Sequence, residues 1–273
     1  MYLPKKRILL DGPPKCGKTT CLSTLPKGSS LYHLDADRQA GGLVKEWEKR
    51  HGTLKDLKLV PVPFVRDDTK EIKDEVFREI RRLLWNPPSG YDFYAIDSYT
   101  RIVLNLAHVF VGKGERNYNE FNNAKYSAAA NDLWFQFVER IEYLMPGSWT
   151  ITIMHERWEE LDDGTSEDVK RKPQMIVPAC GTSAQTAIPA NHDFVWHTEK
   201  GRRLVAGKNR PVSLFRTRGT PTIMASSVGF DDVLEETEIA DFGAILKKLN
   251  LPKEEKKEKE VKQPKKEKSK WQK

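Results

Sequence analysis

Short apolar runs alternate with longer amphipathic stretches over the first 154 residues. Four runs, at 7–11 ("RILLD"), 30–35 ("SLYHLD"), 93–97 ("FYAID") and 149–154 ("WTITIM"), are short and mainly apolar, and each stops at a polar or glycine signal. Strands covered on both faces read this way, because neither side alternates with solvent. A fifth run, 58–65 ("KLVPVPFV"), carries two prolines, which confine it to an edge strand or a loop. Between the runs, Ile72, Val76, Ile80 and Leu83 recur at helical spacing after Thr69, as do Leu133, Phe137, Ile141 and Leu144. Strands alternating with helices predict an α/β fold, a mostly parallel sheet with helices on both faces.

Beyond Met154 the texture changes. Residues 157–192 are polar and rich in Gly, Pro and Ser, with "PACGTSAQTAIPANH" at 178–192 and no convincing period. A stretch that long inside a compact domain is usually functional or mobile. The following 193–219 reads as two or three antiparallel strands, broken at Lys200–Gly201 and again over 207–209. Ile239, Phe242, Ile245, Leu246 and Leu249 form a last amphipathic helix before Pro252.

Charge divides the chain in two. The net charge is +7, and residues 253–273 alone hold ten Lys and five Glu. The rest is close to neutral, so the expected organisation is a folded domain over 1–251 and a disordered Lys/Glu-rich tail over 252–273. Such a tail either attracts a phosphate backbone by counterion release or simply keeps the protein in solution. No apolar run approaches the ~20 residues of a membrane helix, and the N-terminus lacks the core of a secretory signal. A soluble, cytoplasmic protein with no membrane partner is expected. Cys16, Cys21 and Cys180 are odd in number and scattered, and with His192 and His197 they match no zinc spacing.

The segment "DGPPKCGKTT" at 11–20 carries the most specific chemistry. Gly12, Pro13, Pro14, Lys15, Cys16, Gly17, Lys18 and Thr19 match G-x-x-x-x-G-K-[ST] at every fixed position. An apolar strand precedes the motif and an amphipathic stretch, "TTCLSTL", follows it. The glycines let backbone N–H groups curl around phosphate oxygens, Lys18 reaches the β- and γ-phosphates, and Thr19 binds Mg²⁺. Thr20 completes the nucleotide-contacting run. Asp97, at the end of "YDFYAIDS", is the candidate second Mg²⁺ carboxylate, acting through water. Ser98 follows it, so the residue that activates water must come from elsewhere. Asp37, two residues past the strand ending at Asp35, is the candidate.

The succession of this loop, strand-"DAD", strand-"DS" and a strand ending in a polar residue resembles the RecA-type core. More narrowly, it resembles the phage nucleotide-binding proteins that act as RecA-like single-strand-annealing ATPases. The resemblance spans roughly 5–225 and implies a RecA-like P-loop NTPase with a C-terminal antiparallel strand pair. It makes Asp37 the catalytic base, with Asp where the pattern carries Glu. It makes His155, after "WTITIM", the sensor of the γ-phosphate, and 157–192 a DNA-contacting loop. It also places Arg216 and Arg218 of "SLFRTRG" in the neighbouring subunit's nucleotide site. The implied activity is ATP hydrolysis stimulated by DNA, with ATP and Mg²⁺ as cofactors. The implied partners are single-stranded DNA, further copies of the chain in a ring or filament, and a single-strand-binding protein.

The polar stretch 112–126, with Tyr118 and Tyr126, is a second candidate DNA loop, and Trp134 and Phe135 are candidate stacking residues that helical spacing also fits to a core. Two other readings remain open. One is a small-molecule kinase with 156–172 as its lid; the other is a regulatory nucleotide-binding module that does not turn over.

Overall fold

The computed structural model describes residues 6–65, 69–110, 124–160, 174–178, 187–205, 208–221, 223–230 and 232–249. The first apolar run is β1 (Arg7–Asp11), buried along its whole length. The others are β2 (Leu31–Asp35), β3 (Leu57–Pro61), β4 (Phe93–Asp97) and β5 (Trp149–Ile153). The C-terminal part contributes a long hairpin, β8 (Phe194–Val205) with β9 (Lys208–Arg216), and two short strands, β10 (Ser226–Ser227) and β11 (Thr237–Ile239).

Among the described residues, nine strands form one sheet in the order β11-β9-β8-β1-β5-β4-β2-β3, with β10 against β8. The run from β8 to β3 is parallel; β9, β10 and β11 are antiparallel additions at one side. The proline-bearing strand β3 is the far edge, where a missing N–H costs no ladder bond.

Helices cover both faces, as the alternation requires. On one face lie α3 (Lys70–Trp85), α4 (Tyr99–Phe110) and α5 (Ala124–Leu144). Their Val76, Ile80, Ile102, Leu106, Leu133 and Phe137 pack with Leu9, Leu34, Tyr94 and Ile96 of the sheet. On the other face lie the short helix α1 (Lys18–Cys21), α2 (Gly41–His51) and α6 (Phe242–Leu249). There Cys21, Trp47, Phe242 and Ile245 bury Ile8, Leu10, Phe93 and Ile153. Each fully buried aliphatic side chain is worth about 1.5–3 kcal/mol. The two layers therefore clamp the central strands beneath the loops at their C-terminal ends. Among the described residues no helix is long and apolar enough to cross a membrane.

Three expectations are corrected. The strand break at Lys200–Gly201 does not occur, since β8 runs through it with Gly201 opposite Val212. A Cβ at Gly201 would run into the Leu214 side chain, so the glycine serves close packing rather than a turn. Ile239 belongs to β11 and not to the last helix, which begins at Phe242. The stretch 157–192 is not wholly irregular: β6 (Glu156–Glu160) pairs antiparallel with β7 (Gln174–Pro178). The tail over 252–273 lies outside the described residues, as do 161–173, 179–186 and 111–123.

Candidate functional site

Parallel registry brings the C-terminal ends of the central strands to one level. Leu10 is opposite Ile153, Ile153 opposite Asp97, and Asp97 opposite Asp35. The segment 12–19, Asp97, the turn carrying Asp37 and His155, two residues past β5, therefore converge at one sheet edge. Because β5 lies between β1 and β4, His155 emerges between the 12–19 loop and Asp97.

The loop depends on its two glycines. Gly12 has φ 135° and Gly17 φ 101°, the left-handed region that a side chain strains. A Cβ at Gly12 would also collide with the Thr198 carbonyl oxygen, and one at Gly17 would lie 2.6 Å from Ser213 Oγ. The β8–β9 hairpin thus leans on the loop. Ser213 Oγ donates to the Cys16 carbonyl at 2.6 Å, and Lys200 Nζ donates to Ser213 Oγ at 3.2 Å. Pro14 and Lys15 are exposed at the crest, Cys16 is buried beneath it, and Pro13 and Thr19 are half-buried.

Lys18 does not sit exposed as a loop residue would. It is 6% exposed, and its Nζ donates to the carbonyls of Gly12 at 2.6 Å and Pro13 at 2.8 Å. The ammonium is folded back over its own loop, with backbone oxygens as its partners. The helix behind it is one turn, prolonged by a 3-10 turn over Leu22–Thr24. Thr20 is exposed on α1.

Asp97 is 3% exposed, and His33 Nε2 lies 3.3 Å from its Oδ2. Its charge reaches α1: the Cys21 thiol is pushed well up, first by burial, then by Cys16 and by Asp97. Asp97 and Thr19 offer oxygen atoms only, the donor type Mg²⁺ prefers.

Asp37 and His155 are brought together across 118 residues. His155 Nε2 lies 3.1 Å from Asp37 Oδ2. The Asp37 backbone is pinned by bonds from the Ala36 and Asp37 amides to the Asp97 carbonyl, and the His155 amide donates to Thr100 Oγ1 at 3.0 Å. Burial alone would raise the Asp37 carboxyl. His155, the Ser98 hydroxyl and the Arg101 charge outweigh it and hold the group below the ordinary range. Asp35, by contrast, is spent locally, accepting from the Gln39 and Ala40 amides ahead of α2.

The two arginines are placed differently from one another. β9 ends at Arg216, so Arg218 lies past the strand; it is exposed and donates to the Leu234 carbonyl at 2.9 Å. Arg216 is bound within the chain, with Nη1 2.6 Å from Glu236 Oε1 and Nη2 3.2 Å from Glu199 Oε1. A second pair with the same spacing, Lys208 and Arg210, stands exposed further out on β9. Among the described residues neither of these is ion-paired to a carboxylate, and 200–213 contains five cations and no acid. Two cations one apart occur three times along the hairpin and its exit, at Lys200/Arg202, Lys208/Arg210 and Arg216/Arg218, and only packing separates them.

Trp134 is core: it is fully buried and donates Nε1–H to Thr152 Oγ1 at 3.1 Å. Phe135 is half-buried against it. Tyr126 falls on α5, and Tyr118 lies outside the described residues.

One cluster beside the loop escaped sequence reasoning. Asp11, fully buried at the end of β1, has Oδ1 3.3 Å from His197 Nδ1, and His197 Nε2 lies 3.6 Å from Glu156 Oε2. Burial raises both carboxyls. Burial would lower the His197 imidazole, but Asp11, Glu156 and Glu199 outweigh it and raise it. The members come from three strands, and no spacing in the chain links them.

Neither a protein-family model nor a curated protein matches the sequence. Among solved structures, the flagellar accessory protein FlaH from Methanocaldococcus jannaschii is similar at 13% identity and a TM-score of 0.41, over 78% of this chain and 79% of that one. A likeness at that level assigns neither a family nor an activity.

Proposed function

We propose that this chain is a RecA-like P-loop ATPase that binds single-stranded DNA, assembles as a ring or filament and serves recombination or strand annealing of the phage type. The observation that carries the reading is the strand order. With β5 between β1 and β4, the glycine loop, Asp97 and the Asp37–His155 pair meet at one edge of the sheet.

The roles follow from that geometry. Lys18 leaves the Gly12 and Pro13 carbonyls and takes the β- and γ-phosphates, in the loop that Gly12 and Gly17 shape. Thr19 and Asp97 would hold Mg²⁺, which neutralises charge on the phosphates when bound. Asp37, held ionised, accepts a hydrogen bond from the attacking water and aims it. A carboxylate of low basicity suffices, because a loose phosphoryl transition state needs positioning more than proton removal. His155 fixes the Asp37 rotamer and lies where the γ-phosphate can be felt. For a charge supplied by a neighbouring subunit, Lys208 and Arg210 are better placed than Arg216, whose guanidinium already serves Glu199 and Glu236.

The test is hydrolysis of ATP with and without single-stranded DNA, set beside phosphate transfer to nucleosides. DNA-stimulated release of phosphate is expected. Transfer to a nucleoside would make the protein a kinase, and nucleotide binding without turnover would make it a switch.

A further inference from the structure

His33 is a fully buried imidazole on a strand whose neighbours are apolar. It belongs to β2, between Leu31 and Asp35 on the same face, and is opposite Leu59 of β3 and Ala95 of β4. Its Nδ1 is buried without a hydrogen-bond partner, and its Nε2 lies 3.3 Å from Asp97 Oδ2. Asp35 is directly opposite Asp97, so His33 reaches that carboxylate diagonally, from two positions back along the face. One strand across and two residues along puts the backbones ~8 Å apart, which only a long side chain bridges. The small Ala95 directly opposite leaves the ring room to do so.

Burying a polar ring with one nitrogen unsatisfied costs stability. A leucine, as at Leu31 on the same face, would fill such a space without that cost. The geometry points to His33 as the positioning residue for Asp97, a role that rests on the nucleotide-binding reading above. Its Nε2–H commits Oδ2, which fixes the carboxylate rotamer and leaves Oδ1 for the water shell of the divalent cation. Outer partners of this kind set the orientation of a ligating carboxylate, and their loss typically weakens metal binding by about 10–100-fold.

The experiment titrates Mg²⁺ into full-length protein with a fluorescent ATP analogue, comparing wild type with His33→Phe and His33→Gln, each confirmed as folded by circular dichroism. In EDTA the three proteins are expected to bind the analogue equally. The Mg²⁺ concentration that half-saturates the enhancement is expected to rise 10–100-fold in His33→Phe and to recover in part in His33→Gln, whose amide can donate. A His33→Phe half-point equal to wild type overturns the proposal. Failure of wild type to bind the analogue at all overturns the underlying nucleotide reading as well, so the two failures are distinct. Should His33→Phe not fold, nitrogen NMR of the ring in the free protein decides. Asp97→Asn is expected to shift the His33 ring signals, and unchanged signals overturn the contact.

Discussion

Replacing Lys18 with alanine perturbs both the empty and the occupied loop, and the structure says by how much. Lys18 is buried and its Nζ makes two charge-assisted bonds, to the Gly12 and Pro13 carbonyls. Bonds from a charged donor contribute roughly 1.5–3 kcal/mol each, and water at the half-buried Pro13 returns part of the loss, so Lys18→Ala should destabilise the free protein by about 2–4 kcal/mol. At roughly 2–4 °C per kcal/mol for a domain of this size, the melting temperature falls by about 5–15 °C. Nucleotide at a hundred times its Kd adds about 2.7 kcal/mol to wild type by mass action and nothing to a variant that cannot bind. Thermal melting of both proteins, with and without Mg²⁺-ATP, measures the two effects separately. A variant that melts with wild type and keeps the full nucleotide shift would refute the placement of Lys18 and its role together.

Three other outcomes are expected. Asp37→Asn should lower hydrolysis by about 10²–10⁴ while leaving ATP affinity in place, since aiming the water matters only in the transition state; equal turnover moves that role to another residue. A Lys208→Ala/Arg210→Ala variant and Lys18→Ala, each inactive alone, should regain ATPase when co-assembled, whereas Arg216→Ala should reduce the denaturation midpoint more than the rate; silent mixtures shown to co-assemble count against a subunit-crossing role. His192, buried with its pKa pushed down to about 3 by burial, then by the Arg7 charge, makes the fold acid-sensitive. The unfolded chain takes up a proton below the ordinary 6.5 that the folded chain refuses until about 3, so stability is lost as pH falls through that window. The loss is roughly 2 kcal/mol at pH 5. Chemical denaturation at pH 5 and 7.5 checks this, and a His192→Gln protein with the same pH dependence as wild type would show the cause to lie elsewhere.

What could be read from the chain was what repeats locally. The bounds of β1 and β4 were legible to the residue because both are buried throughout and stop at an acid. The 12–19 motif was legible because its glycines answer a backbone need that any single sequence displays. Helix α4 was not, since Tyr99, Thr100, Ile102, Val103, Asn105 and Leu106 are all buried and leave no clean polar face. Helix α2 begins with two glycines, which hide its stripe of Leu43 and Trp47. Inside the site, the Asp37–His155 pair, the His33–Asp97 contact and the Asp11–His197–Glu156 cluster are products of strand order. Each residue was visible, but which ones meet depends on β5 entering between β1 and β4 and on β8 lying beside β1. The pairing of Arg216 with Glu199 and Glu236 is of the same kind, set by β9 lying between β8 and β11.

If the proposed function holds, the 12–19 loop grips a nucleotide's phosphates with Asp97 and Asp37 beside them. A crystal structure of the protein with Mg²⁺ and a non-hydrolysable ATP analogue tests it most directly. Lys18 Nζ should have left the Gly12 and Pro13 carbonyls for the β- and γ-phosphate oxygens, with Thr19 and Asp97 at the cation and Asp37 facing the γ-phosphate through a water. An analogue bound elsewhere, or a Lys18 still folded onto its own loop with the nucleotide present, would rule out the 12–19 segment as a phosphate-binding loop.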